Sequence, residues 1–401
     1  MNRDRMPRSA RLRWSTASEL LRLVHAEPGI ARTAACERLA LSSGAAAELV
    51  ERLRGARLLA EHRAGRGGRG RPTTSLGAHP RGPLTAVADL GAGGWRVLLG
   101  DLGGAVAEVA AGSYGDRYPA EFLPEVAAAV DAAARGEPGR VRAVVAAVAG
   151  AVSGTRLLQF STRGWHEADL GVLAGGTAAV PGVPLLVGND ATLGGIAEAR
   201  GGAARGAGAA LHLLVAVGVG GALLVGGRPV TGARGAGGEY GHLPFGDPAL
   251  ACPCGARGCW DLLVDGRALA RYRGDPEPAD PLAYGRDVIG AVRAGTAPAG
   301  DRRAVETAAR ALGAGVAGLV NLHDPDAVTV AGLAPGLRAA APEAFAAAYR
   351  AGLMAFHRAD PPPVADAVHG TDGPVRGALG LGFDEITGPS ALARWAALPH
   401  T

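Results

Sequence analysis

The sequence predicts an α/β protein in which a small helical head precedes a two-lobed body. Three observations lead there. Residues 1–82 carry 16 Arg against 7 acidic residues, whereas the remainder carries 25 against 30. Beyond Pro83 apolar strand patterns alternate with Ala-rich helical ones, and the plan is given twice. Between the second set of strands and the next helix lies a loop holding three of the four cysteines.

The head divides into short amphipathic segments. TASE, residues 16–19, reads as a capping box with Thr16 as N-cap and Glu19 three residues on. Leu20, Leu21, Leu23 and Val24 then form one buried face, ending near EPG at 27–29. A second helix covers RTAACERLA (32–40), where Cys36 reads as a small core residue. Ser42 caps a third, SGAAAELVERLRG, with Ala46, Leu49, Val50 and Leu53 inward. A tight turn between the second and third helices makes helix-turn-helix organisation. LLAEHRAGRGGRGRPTTSL adds a strand, a basic glycine-rich tip and a returning strand, which is a wing.

This head is expected to bind operator DNA; a solvated basic tail or a flexible linker are the bland readings. All 41 basic residues are Arg, a mark of genomic bias, so Arg number alone carries little. Ser42, Ser43 and Ala47 sit on the outer side of the third helix. Arg52 and Arg54 suit phosphates, which position without specifying. Arg69 and Arg71 of RGRP suit a narrow minor groove.

In the body, LTAVADLGAGGWRVLLGDLGGAVAEVAAGSY from 84 predicts three strands with tight turns. AEFLPEVAAAVDAAARG is a helix; VRAVVAAVAG and VPLLVGND are strands. LHLLVAV, ALLVGG and RPV repeat the triplet, followed by the cysteine insertion, a helix near 301–321 and the strand AVTVAGL. A cleft is expected between lobe I (about 83–188) and lobe II (about 189–395), the plan of the actin-like, ribonuclease H-like ATPase fold. The apolar run 206–227 is long enough to raise a membrane span, but His212 and its glycines divide it into two strands. No secretory signal is visible, so a cytoplasmic protein without membrane attachment is expected.

GEYGHLPFGDPALACPCGARGCWD, residues 238–261, concentrates the remaining chemistry. Cys252 and Cys254 are too close for a comfortable disulfide. Cys252, Cys254, Cys259 and His242 satisfy a closed, structural Zn²⁺ site with no open position for water, free thiols in a loop being the other reading. Fixing the His242 imidazole would also fix Glu239, three residues before it.

Taken in order, GRP (70–72), DLG (89–91) with Asp101, NDATLGGIAE (189–198), GEYGH with CPCGARGC, and NLHDPDAVTVAG (321–332) closely resemble the ROK family of bacterial sugar kinases and sugar-responsive repressors. The head places the resemblance with the N-acetylglucosamine, glucose and xylose regulators. The resemblance implies that Glu239 and His242 face a sugar while His242 also binds zinc. It implies that Asn189 holds the sugar, that Asp190 is the counterpart of the kinase base, and that Asp261 stands where a Glu is usual. Gly150 and Thr162 are its further sugar contacts.

The resemblance also locates departures. Family kinases carry Asp-x-Gly-Gly-Thr, where this chain has Asp89, Leu90, Gly91, Ala92 and Gly93. A second Gly-Thr-Gly loop is Ala216, Val217, Gly218, and a late Gly-Gly is Ala331, Gly332, Leu333. A phosphoryl cradle without its hydroxyls beside a nearly intact sugar set predicts a sensor rather than a catalyst. The expectation is a regulator, most simply a repressor, responding to a sugar or sugar phosphate and working as a homodimer or homotetramer on palindromic operators. A sugar kinase with a residual head is the second hypothesis, and a protein-binding scaffold the third.

Overall fold

The computed structural model describes residues 8–63, 74–175 and 182–399. Its first three helices are α1 (Arg8–Ala26), α2 (Arg32–Arg38) and α3 (Ser43–Gly55). The strands β1 (Leu59–Arg63) and β2 (Thr74–Ala78) pair antiparallel and complete a winged helix-turn-helix head. The wing tip with Arg69 and Arg71 lies outside the described residues. Ser42 caps α3, its Oγ accepting from Ala45 N at 3.3 Å, and Ala46, Leu49, Val50 and Leu53 are buried.

Two expectations in the head are corrected. Thr16 is not an N-cap: α1 begins at Arg8, and the Thr16 hydroxyl donates back to the Leu12 carbonyl within the helix. The helix already runs through the residues upstream of Thr16, so no chain reversal occurs there. Cys36 is half-buried; its neighbour Ala35 occupies the core.

Lobe I is built on β3 (Leu84–Leu90), β4 (Trp95–Asp101) and β5 (Val106–Gly112), an antiparallel meander. Helix α4 (Pro119–Gly136) covers one face, and β6 (Val141–Val148) returns parallel to β3. A small antiparallel sheet of β7 (Ala151–Ser153), β8 (Arg156–Phe160) and β9 (Trp165–Asp169) follows, then α5 (Val172–Gly175) and β10 (Leu185–Asn189). The main sheet runs β10-β6-β3-β4-β5.

After α6 (Asp190–Gly201), lobe II repeats the scheme. Strands β11 (Ala209–Ala216), β12 (Gly218–Val225) and β13 (Arg228–Pro229) form the second meander, so the apolar run 206–227 is two paired strands. Helices α7 (Gly266–Arg273), α8 (Pro281–Arg293) and α9 (Ala299–His323) precede β14 (Ala327–Gly332), which lies parallel to β11. The chain continues through α10 (Ala334–Ala340), α11 (Pro342–Gly352), α12 (Ala355–Ala359) and the edge strand β15 (Val364–Asp366). Two helices close it, α13 (Gly373–Ile386) and α14 (Pro389–Ala396). The second sheet runs β13-β12-β11-β14-β15. Antiparallel triplets each followed by parallel crossovers make this the two-lobed actin-like architecture.

Each lobe has its own apolar core, one beneath α9 and one beneath α4. The head shares a core with the body: Leu20, Leu53 and Leu58 pack with Phe383, Ile386, Leu392 and Trp395. The Trp395 indole donates to the Ala56 carbonyl at 2.6 Å, and the His25 ring lies 4.3 Å from that of Phe383. Among the described residues no helix is long and apolar enough to cross a membrane.

Candidate functional site

The carboxyl ends of β3, β6 and β10 in lobe I and the β11–β12 turn in lobe II face a common cleft of about 520 Å³. Open α/β sheets bind ligands at this edge because the strand ends leave loops and helix starts unpacked there. Asn189, Asp190, Glu239, His242, Asp261, Gly150 and Thr162 all line it. The seven sugar-type residues expected from the sequence therefore meet in one place.

Their local structure explains their positions. Asn189 ends β10 and caps α6, its Oδ1 accepting from Thr192 N at 3.1 Å and its Nδ2 donating to the Gly150 carbonyl at 3.2 Å. A side chain at Gly150 would press to 2.7 Å from the Gln159 carbonyl, so glycine permits this close approach. Asp190 opens α6 and accepts from Ala191 N at 2.7 Å. Burial pushes its carboxyl up to about 7; the Ala191 amide opposes this, while the Asp89 and Glu239 charges add to it. Glu239 is likewise raised by burial, and His242, 3.8 Å away, pulls it down.

Two glycine loops lie opposite. Asp89 is engaged by Arg96, its cross-strand partner, through Nε at 3.1 Å and Nη2 at 2.7 Å. Arg163 donates to the Ala92 carbonyl at 2.9 Å and 3.2 Å, tying the first loop to the small sheet. Val217 is the tip of the β11–β12 hairpin, and Gly218 at φ +104° takes a backbone shape that side chains disfavour. Gly332, Arg286 and Thr371 complete that end of the cleft.

Beside Glu239, His242, Cys252, Cys254 and Cys259 present ligand atoms that all lie within 4.8 Å of one another. Cys254 and Cys259 sulfurs are 3.7 Å apart, and Cys252 Sγ is 3.8 Å from His242 Nδ1. A tetrahedral ion with metal–sulfur bonds of about 2.3 Å spaces its sulfurs about 3.8 Å apart, so the four fit one metal ion. Burial pushes the Cys259 thiol up to about 11 and raises Cys252 as well, so a cation is what would hold them as thiolates. Gly255 and Gly258, at φ +97° and +67°, turn the loop around this point.

Sequence reasoning missed Gln159, whose amide donates to the Cys254 carbonyl at 3.3 Å and ties lobe I to the cysteine loop. Their separation of 95 positions leaves no local signal. On the head, Ser42, Ser43 and Ala47 are exposed as expected. Arg52 and Arg54 are drawn into ion pairs with Glu48 at 2.5 Å and Glu51 at 2.9 Å.

Residues 86–384 match the ROK family. A glucokinase of Streptomyces coelicolor is 32% identical over 166 residues, 38% of this chain and 52% of that protein. A xylose repressor of Bacillus subtilis is 28% identical over 146 residues, 36% and 37% of the two chains. The chain thus spans about half or less of the length of these relatives. The crystal structure of a ROK family transcriptional regulator, a homologue of the E. coli MLC protein, superposes with a TM-score of 0.73 at 19% identity. It covers 96% of this chain and 99% of its own. That likeness includes the head as well as both lobes. On the extent of the family match and the shared fold, this chain belongs to the ROK family.

Proposed function

We propose that the chain is a sugar-responsive transcriptional regulator of the repressor type. Residues 1–82 are its DNA-binding domain and linker, and residues 83–401 its sugar-binding body. The observation that carries this reading is the union, in one chain, of a winged head packed into the body's core and a cleft lined by Asn189, Asp190, Glu239 and His242. Carboxylates and an amide converging on a cleft accept and donate to vicinal hydroxyls, the pattern that a sugar presents. A sugar or sugar phosphate that prefers one lobe arrangement would bias the head through that shared core.

Zinc held by His242, Cys252, Cys254 and Cys259 serves structurally, stiffening the wall that carries Glu239. The head meets operator DNA through Ser42, Ser43 and Ala47, with Arg52, Arg54, Arg69 and Arg71 on phosphates or in the minor groove. A palindromic site takes two copies of the head, supplied by a homodimer or a homotetramer in the cytoplasm. The glycine loops support a sensor: neither Gly93 nor Val217 offers a hydroxyl to a phosphate, and Asp89 is taken up by Arg96.

A sugar kinase is the second reading, favoured by the identity to a glucokinase and by the Thr371 hydroxyl at the cleft. Operator selection followed by binding with a panel of sugars tests the first. No sequence-specific DNA binding at physiological salt would remove it. A coupled ADP-release assay with hexoses tests the second, and the regulator reading expects no turnover.

A further inference from the structure

The wall of the cleft formed by Asp261 is built differently from the rest. Its side chain is only 5% exposed, and both carboxylate oxygens lie against Cys252 Sγ at 3.8 and 3.9 Å. A carboxylate so enclosed needs a counter-charge, and sulfur ligands supply none. His242 Nδ1, 3.9 Å from Oδ2, is occupied when the imidazole serves as a metal ligand. Among the described residues the remaining side-chain cation beside it is Arg267, with Nη2 3.7 Å from Asp261 Oδ2.

Arg267 is held for this purpose at its other edge. Its Nε donates to Asp265 Oδ2 at 2.6 Å, and the Asp265 Oδ1 caps α7 through Ala268 N at 3.0 Å. Asp265 is fully buried and Arg267 91% buried, so the fork has one fixed orientation. Yet Nη2 has no hydrogen-bond partner, an expensive omission for a buried guanidinium. It points to the place where Asp261 meets the second glycine loop. A Cβ on Gly218 would sit 3.4 Å from Asp261 Oδ2 and 3.9 Å from Arg267 Nη2. A shift of under about 1 Å by the carboxylate would convert the ion pair into a hydrogen bond.

We propose that Arg267 is the positioning residue of the sugar site: it holds the short Asp261 arm at the cleft wall and so sets which ligand hydroxyl donates to that arm. The proposal rests on the sugar reading of the cleft. Arg267 itself touches no ligand. It acts through Asp261, just as second partners orient first ligands elsewhere. A clamp serving α7 alone would need only the Asp265 contact and would not leave Nη2 aimed at Asp261.

Titration calorimetry of the full zinc-loaded chain with glucose, mannose and xylose tests this, comparing wild type with Arg267→Met, Arg267→Lys, Asp261→Asn and the Arg267→Met/Asp261→Asn pair. Arg267→Met is expected to weaken the best sugar by about tenfold or more and to change the ranking of the three. Arg267→Lys should restore part of the loss at unchanged zinc content. In the Asp261→Asn background, Arg267→Met should matter less than about twofold, because its route to the ligand is gone. Equal losses in both backgrounds, or wild-type affinity and ranking in Arg267→Met, overturn the proposal. Should the wild type bind no sugar of the panel, the sugar reading falls while the positioning claim is still decided by crystallography. Asp261 must leave the cleft wall in the Arg267→Met structure, or in Arg267→Lys if Met does not fold. An unmoved carboxylate refutes it.

Discussion

Asp190→Asn should stabilise the protein, and should do so only above acidic pH. Asp190 opens α6 inside the cleft, and burial raises its carboxyl from 3.8 to about 7. The folded state therefore keeps the proton where the unfolded chain has already lost it. Below 3.8 both states are protonated and the group costs nothing. Between 3.8 and about 7 the unfolded state is increasingly favoured, and above 7 the penalty reaches a plateau. The full shift corresponds to about 4 kcal/mol, which the half-buried, cleft-facing placement of the residue trims to about 2–3 kcal/mol. Asn keeps the acceptor for Ala191 N and removes the ionisation; its lost charge at the start of α6 costs about 0.5 kcal/mol. Urea unfolding of wild type and Asp190→Asn at pH 4, 6 and 8 reads the difference directly, and common titrations elsewhere cancel. Equal stability at pH 8, or an Asn advantage that shrinks as pH rises, refutes the reasoning.

Other consequences can be measured as directly. Metal analysis should find one zinc per chain, and Cys259→Ser should abolish it, lower Tm and weaken sugar binding through Glu239. Gly377→Ala should destabilise by about 3 kcal/mol or more in chemical denaturation, because a Cβ there would overlap the Leu193 carbonyl where α13 crosses α6. Trp395→Phe keeps most of the packing but removes the indole donor from the Ala56 carbonyl. It should cost about 1–2 kcal/mol and speed amide exchange in the head more than in the lobes.

Much of this protein is legible in its sequence. Apolar periodicity marked the strands of both lobes and the inward face of α3, since local burial patterns follow directly from side-chain spacing. The cysteine loop announced its candidate metal cluster because His242, Cys252, Cys254 and Cys259 lie within 18 consecutive residues. TASE misplaces the start of α1 because it satisfies a capping rule locally, while the helix already runs upstream from Arg8. Arg52 and Arg54 read as phosphate contacts, and their pairing with Glu48 and Glu51 follows from side-chain positions rather than from residue type.

Residue order by itself determined the element types, the doubled lobe plan and the local motifs, because hydrogen-bonding periodicity and turn chemistry act over a few neighbours. Tertiary structure alone decided what meets across the chain: Asn189 with Gly150, Gln159 with the cysteine loop, Trp395 with the head, and Arg267 with Asp261. Those contacts arise from lobe packing, and a buried charge declares its partner only once the surrounding chain has excluded water.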